Sequence, residues 1–225
     1  MLTFIDLVLE VEDELRDKKI RGRVERWVNR AARDICRTYP WSFLGKETTT
    51  RSTADAPAYY QVPDDFAAPL SVRWEDTSGV IHGPIQVIHK EKMDKLYPDQ
   101  RKTGALPEAV AFFGRLIQFY PCLASVAALE ADRERIILSY RRSHPEMSLD
   151  SHVSLIPDSG RDVIVDWASY RGAKFLWNDS NDLAIRKTDV KEGLQAMILN
   201  EKGDDALQDR VALDDGLVDL LMDAG

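Results

Sequence analysis

A chain of 225 residues, 44% apolar and 30% charged, has an ordinary globular composition and the length of one large domain or two small ones. Its longest apolar runs, "VAFFG" and "LVDLLM", fall far short of a bilayer span, and the acidic amphipathic start "MLTFIDLVLEVEDELRD" lacks the basic region of a signal peptide. Cys36 and Cys122 form neither a metal spacing nor a disulfide framework, so folding in a reducing cytoplasm is expected.

The net charge of −8 conceals an asymmetry. Residues 18–37 carry eight bases against Glu25 and Asp34, a net of +6, whereas residues 200–225 carry eight acids against Lys202 and Arg210, a net of −6. Segregation on this scale predicts contact between oppositely charged surfaces, within a chain or between copies.

Residues 3–17 place Phe4, Leu7, Val8, Val11 and Leu15 at helical spacing. A second helix is predicted over 19–38, with an apolar face of Ile20, Val24, Trp27, Val28, Ala31 and Ile35. At 100° per residue, Arg23, Arg26, Arg30, Arg33 and Arg37 gather on a stripe of their own. Pro40 forces the helix to stop, and Trp41 and Phe43 are expected to pin the junction that follows into the core.

From residue 47 to about 154 the pattern becomes one of short β-branched and aromatic runs, among them "AYYQV", "LSVRWE", "EAVAFFG", "RLIQFYP" and "RERIILSYRR". A tight hairpin is predicted at Gly114-Arg115, and "KEKMDKLYPDQ" reads as a short helix or turn. Helical periodicity returns after Pro157, with Asp158 or Ser159 as N-cap, then Val163, Ile164, Trp167, Tyr170, Ala173, Lys174 and Trp177. A break at residues 178–181 precedes a last helix that ends at Gly203. An acidic tail carrying Leu207, Val211, Leu217, Val218, Leu220 and Leu221 is too apolar to be freely solvated and reads as a segment that orders on a partner.

The expected architecture is α+β. Residues 1–44 and 157–203 form a four-helix domain from both ends of the chain, 45–156 form an inserted antiparallel β-sandwich or barrel-like domain, and 204–225 form the amphipathic C-terminal extension.

Motifs for chemistry are scarce. His82, His89, His144 and His152 make no metal-ligand pattern, Cys36 has no histidine close in sequence, and Asp64-Asp65 after Pro63 reads as a turn. No phosphate loop or nucleophile elbow is present, so no catalytic, cofactor-binding or metal-binding residue is assigned. The arginine stripe carries more information: it suits an acidic protein surface, a solvated face with local partners, or DNA phosphates.

Four stretches in order resemble one family, the head–tail adaptors of tailed bacteriophages, also called connectors or head-completion proteins. "RVERWVNRAARDICRTYPWSFL" resembles its W-[IV]-N-x-A helix and aromatic exit. "TTTRSTADAPAYYQVPDDFAAPLSVRW" resembles the tyrosine and [LV]-P-x-D-[FY] block. "TGALPEAVAFFGRLIQFYPCLAS" and "ILSYRRSHPEMSLDSHVSLIP" resemble its hairpin and its closing strand.

The resemblance implies a non-enzymatic virion protein, made in the host cytoplasm and placed at the neck. It implies a homo-oligomeric ring, commonly of twelve copies, docked on the portal protein and followed by the next tail component, whether stopper, tail terminator or nozzle. Packaged DNA would pass through the channel without sequence specificity, and no membrane or cofactor is involved. On that reading Arg23, Arg26, Arg30, Arg33 and Arg37 face a neighbouring subunit or the channel, and the tail docks on a partner. The alternative is a DNA-binding packaging or regulatory factor that uses the arginine-striped helix.

Overall fold

The first helix, α1 (Phe4–Leu15), opens where the Asp6 carboxylate accepts hydrogen bonds from the Thr3 amide at 3.1 Å and the Thr3 hydroxyl at 2.6 Å. The structure, a computed structural model, describes residues 3–50, 59–75, 78–99, 103–104, 107–123, 135–202, 218 and 222. Two compact units emerge, Met1–Leu44 with Ser143–Gly225, and Gly45–Arg142. The chain is α+β, as its sequence pattern predicts.

In the first unit, a 3-10 turn at Lys18–Ile20 precedes α2 (Arg21–Thr38), which therefore starts two residues later than its periodicity suggests. Asp17 holds that turn by accepting the Lys19 amide at 2.9 Å. The helix stops as Pro40 requires: Tyr39 is extended, with φ −148°.

Neither Asp158 nor Ser159 caps α4 (Arg161–Leu176). Residues Asp158–Gly160 form a 3-10 turn instead, and Gly160 precedes the helix without a side-chain cap. Packing explains the glycine, because a Cβ there would sit 2.6 Å from Ile156 and 2.7 Å from Met197. The break before α5 (Ser180–Lys202) is built by Asn178, with φ +51°, and by Asp179, whose carboxylate accepts the Asn181 amide at 2.8 Å. Gly203, the expected end of that helix, lies outside the described residues.

α4 is the axis of this unit. It packs against α1, α2 and α5, and burial runs almost all round it, including Val163, Ile164, Val165, Trp167, Ala168, Tyr170 and Ala173. α1 and α2 both approach closely at Gly172, where a Cβ would meet Leu15 at 2.3 Å and Trp27 at 3.1 Å. α5 approaches at Gly193, against Val163.

Residues 143–156 are tied to the same unit through the start of α1, where the Phe4 amide donates to the His152 carbonyl at 2.7 Å, and through one buried side chain of α2. Buried Asn29 donates to the Met147 carbonyl and accepts from the Met147 amide, both at 2.8 Å. Asn29→Ala would strip both partners from buried backbone groups. We expect a loss of about 2–3 kcal/mol, read in urea denaturation followed by helical circular dichroism, whereas Asn29→Asp, which keeps the acceptor, should lose less.

The second unit holds two four-stranded sheets. The first pairs β1 (Gly45–Thr50), β10 (Arg135–Arg142), β3 (Phe66–Glu75) and β4 (Ile81–His82) in that order, all antiparallel. The β3–β10 register shifts next to Pro69, which has no amide to give the ladder.

The second sheet has the order β2 (Tyr59–Gln61), β8 (Leu116–Tyr120), β7 (Ala109–Phe113), β5 (Gln86–Ile88). It is mixed, not wholly antiparallel as the strand pattern suggested, because β5 and β7 run parallel. The predicted short helix, α3 (Lys90–Leu96), lies in the connection between them, and a parallel pair needs such a crossover. A further parallel pair joins β6 (Thr103–Gly104) to β9 (Cys122–Leu123).

The predicted hairpin turns at Gly114, φ +56°, with Phe113 opposite Leu116. Both sheets feed one apolar cluster of Tyr60, Val72, Trp74, Val110, Ile117, Phe119, Ile136, Leu138 and Tyr140. Ala109 and Ala111 point the other way, to Met93 of α3, so β7 is buried on both faces.

Candidate interaction surface

On α2 the five predicted arginines occupy an arc about 80° wide, on the side away from the buried positions Val24, Val28, Ala31, Ala32 and Ile35. Those arginines do different things. Arg23 lies over the Phe175 ring, 4.1 Å from its centroid. Arg30 and Arg37 reach Asp34 at 3.9 and 3.7 Å. Arg26 and Arg33 are exposed, and each donates through Nε to the backbone carbonyl four residues earlier, at 3.1 and 3.3 Å. That bond fixes the stem and leaves the terminal guanidinium nitrogens on the outer side of the helix.

Asp34 organises the inner edge of the stripe. Its side chain is 5% exposed and meets Arg171 of α4, 4% exposed, at 2.8 Å. Burial pushes the Asp34 carboxyl up, against the pull of Arg171, Arg30, Arg37 and Arg33. Burial and the nearby Arg30 charge lower the Arg171 guanidinium, against Asp34. The sequence offered no sign of this pair: Asp34 sits among exposed bases, and Arg171 sits in the apolar run of α4.

A second charged surface is made by α1, α4 and α5. Glu14, Asp166, Asp182, Ile185, Arg186 and Asp189 line a cleft of about 250 Å³. Arg186 bridges Asp182 at 2.9 Å and Glu14 at 3.3 Å, two of the four carboxylates that line the cleft. Alongside it, Arg161 at the start of α4 pairs with Glu10 at 2.5 Å. Asp166 is half-buried at the α4 side of the cleft. Burial, then Glu14, Asp189 and Asp162, push its carboxyl up to about 6, against Arg186.

A carboxyl raised in this way binds a proton more tightly in the folded than in the unfolded chain. Stability therefore falls as pH rises from about 4 through about 6 and is level beyond. Asp166→Asn should be more stable than the parent at pH 7.5 by about 1 kcal/mol, solvent screening having reduced the full effect, and equal to it at pH 4. Thermal melts across that range test this, and a gain equal at both pH values would contradict the assignment to Asp166 ionisation.

Of the tail residues singled out above, Val218 is described, and Leu207, Val211, Leu217, Leu220 and Leu221 lie outside the described residues. Val218 and Met222, one helical turn apart, are buried in the apolar cluster of the helical unit. At the predicted junction, Pro40 is exposed, Trp41 is buried and Phe43 packs against the helical core. The Trp41 and Phe43 rings are stacked 5.6 Å apart.

In the β unit Asp65 does more than turn the chain. It accepts from Lys46 Nζ at 2.7 Å and from the Tyr140 hydroxyl at 2.6 Å. Burial raises its carboxyl, but those two bonds outweigh that effect and hold it below the usual range. His144 contacts the Ser154 hydroxyl at 3.0 Å, and His152 accepts the Ser148 amide at 3.1 Å. Among the described residues no group of three or more His, Cys, Asp or Glu is placed to hold a metal, and no helix is long and apolar enough to cross a membrane.

In chain order, helices from both ends flank an inserted pair of sheets, and charge is concentrated on helical faces. The SU10 adaptor protein family model matches residues 2–214, nearly the whole chain, and this protein belongs to that family. No curated protein matches it. It is a bacteriophage structural adaptor and a virion component.

Proposed function

We propose that this adaptor forms a ring at the neck of the virion, between the portal and the next tail component, and that its inner surface lines the path of the exiting DNA. The observation that carries the ring is the opposite charge of two faces of one helical unit. Closed rings are heterologous: each copy presents one surface to a different surface of the next. Twelve copies is the number the family resemblance implies, and DNA would pass without sequence-specific contact. The role is structural, not enzymatic, and the apolar residues of the tail, Leu207, Val211, Leu217, Leu220 and Leu221, supply docking contacts to the portal or a neighbouring subunit.

The test is assembly with the portal protein of the same phage. Mixed and sedimented, the two should co-migrate as one particle with an annular projection in negative stain. A chain that stays monomeric at tens of micromolar, alone and with the portal, would overturn the proposal.

A further inference from the structure

The two charged faces lie on opposite sides of α4. Arg171 and Phe175, which meet α2, are 140° and 180° around that helix from Asp166, which meets the cleft. The faces also share a spacing. Arg26 and Arg33 are seven residues apart on α2, and Asp182 and Asp189 are seven apart on α5, in each case about 10.5 Å along the axis. Between the two aspartates stands Ile185, an apolar side chain 63% exposed at the rim of the cleft.

We propose that the occupant of the α1–α5 cleft is the α2 stripe of a second copy of this chain, with Arg26 and Arg33 set against Asp182 and Asp189 and Ile185 covered by the arginine stems. This rests on the ring reading and names the surfaces that would close it. Charge complementarity selects the occupant. Two α2 stripes face to face would oppose bases with bases, and two clefts would oppose acids with acids, so a symmetric dimer is repelled and a head-to-tail chain is favoured. The cleft also gathers negative charge from three elements, Glu14 on α1, Asp166 on α4, and Asp182 and Asp189 on α5, and among the described residues that line it Arg186 is the cation. A guanidinium fork held by its own helix, as at Arg26 and Arg33, meets a carboxylate with little further ordering.

The experiment exchanges charge between the faces in the full chain. Arg26→Glu/Arg33→Glu is one variant, Asp182→Arg/Asp189→Arg the second, and a third carries all four changes; circular dichroism selects folded preparations. Sedimentation velocity reads assembly, with or without the portal as the parent protein requires. Each two-site variant alone should associate at least about 30-fold more weakly than the parent. An equimolar mixture of the two should regain assembly, since each restores one complementary contact of an alternating ring, and the four-site variant should assemble alone.

Two-site variants that assemble like the parent would overturn the pairing while leaving the ring standing. So would losses that neither the mixture nor the four-site variant recovers. If Arg26→Glu/Arg33→Glu left assembly intact and abolished salt-sensitive binding of a random DNA duplex, the stripe would belong to DNA and the pairing would be overturned. A parent protein that forms no ring under any of these conditions removes the functional reading itself.

Discussion

Arg171→Met should destabilise the helical unit by about 3–5 kcal/mol, among the largest single losses available in this protein. The substitution keeps the volume of the side chain but strands the Asp34 carboxylate, 5% exposed, without its 2.8 Å partner. Arg30 and Arg37, at 3.9 and 3.7 Å and much more exposed, replace only part of what is lost. Removing both charges is a different matter: Asp34→Leu/Arg171→Met should recover most of the stability, because a buried pair mainly offsets the cost of its own desolvation. Urea denaturation followed at 222 nm reports the helical unit. A single variant and a double variant of equal stability would show that the two charges are not coupled.

The second large effect is expected at Trp41. The indole is 1% exposed, lies between Tyr39 at 4.9 Å and Phe43 at 5.6 Å, and donates through Nε1 to the Ile35 carbonyl at 2.8 Å. Ile35 belongs to the last turn of α2, where no amide of the helix takes its carbonyl, which also accepts the Thr38 hydroxyl at 2.8 Å. Trp41→Ala therefore removes a large buried ring and one hydrogen bond to that helix end, at a cost of about 3–5 kcal/mol. Trp41→Phe keeps most of the apolar volume and loses the bond, so about 1–2 kcal/mol is expected. A Phe variant as unstable as the Ala variant would place the effect in the hydrogen bond alone.

These two sites mark the limit of what a sequence pattern reveals. Period and punctuation located the helices, the strands and the hairpin well, because apolar spacing, Pro40 and Gly114 act locally. They also isolated the arginine stripe, since five like side chains on one arc need only a step angle to be seen. Asp34 gives no such signal: it counts as one charge among many on its helix, and only its meeting with Arg171, 137 residues on, sets it apart. Asn29 was counted as one letter of a motif although its amide holds Met147, 118 residues away. The acidic cleft was invisible for a related reason: α1 reads as acidic on its own, but the cleft exists only where its Glu14 meets Asp166 of α4 and Asp182 and Asp189 of α5. The parallel β5–β7 pair escaped because strand periodicity carries no direction.

The pairing of β1 with β10 has a consequence for how the chain folds. Gly45 sits opposite Arg141, so the first residue of the inserted unit and its last but one are neighbours in one ladder. Once that ladder has formed, Leu44 and Ser143 are tethered within a few residues' reach, and the search that brings α2 to α4 no longer spans the whole insertion. By the logarithmic dependence of loop closure on length, shrinking a gap of roughly a hundred residues to a handful saves about 3 kcal/mol of chain entropy. The β unit thus acts as a clasp for the helices on either side of it, and kinetic experiments should find sheet formation preceding helix docking.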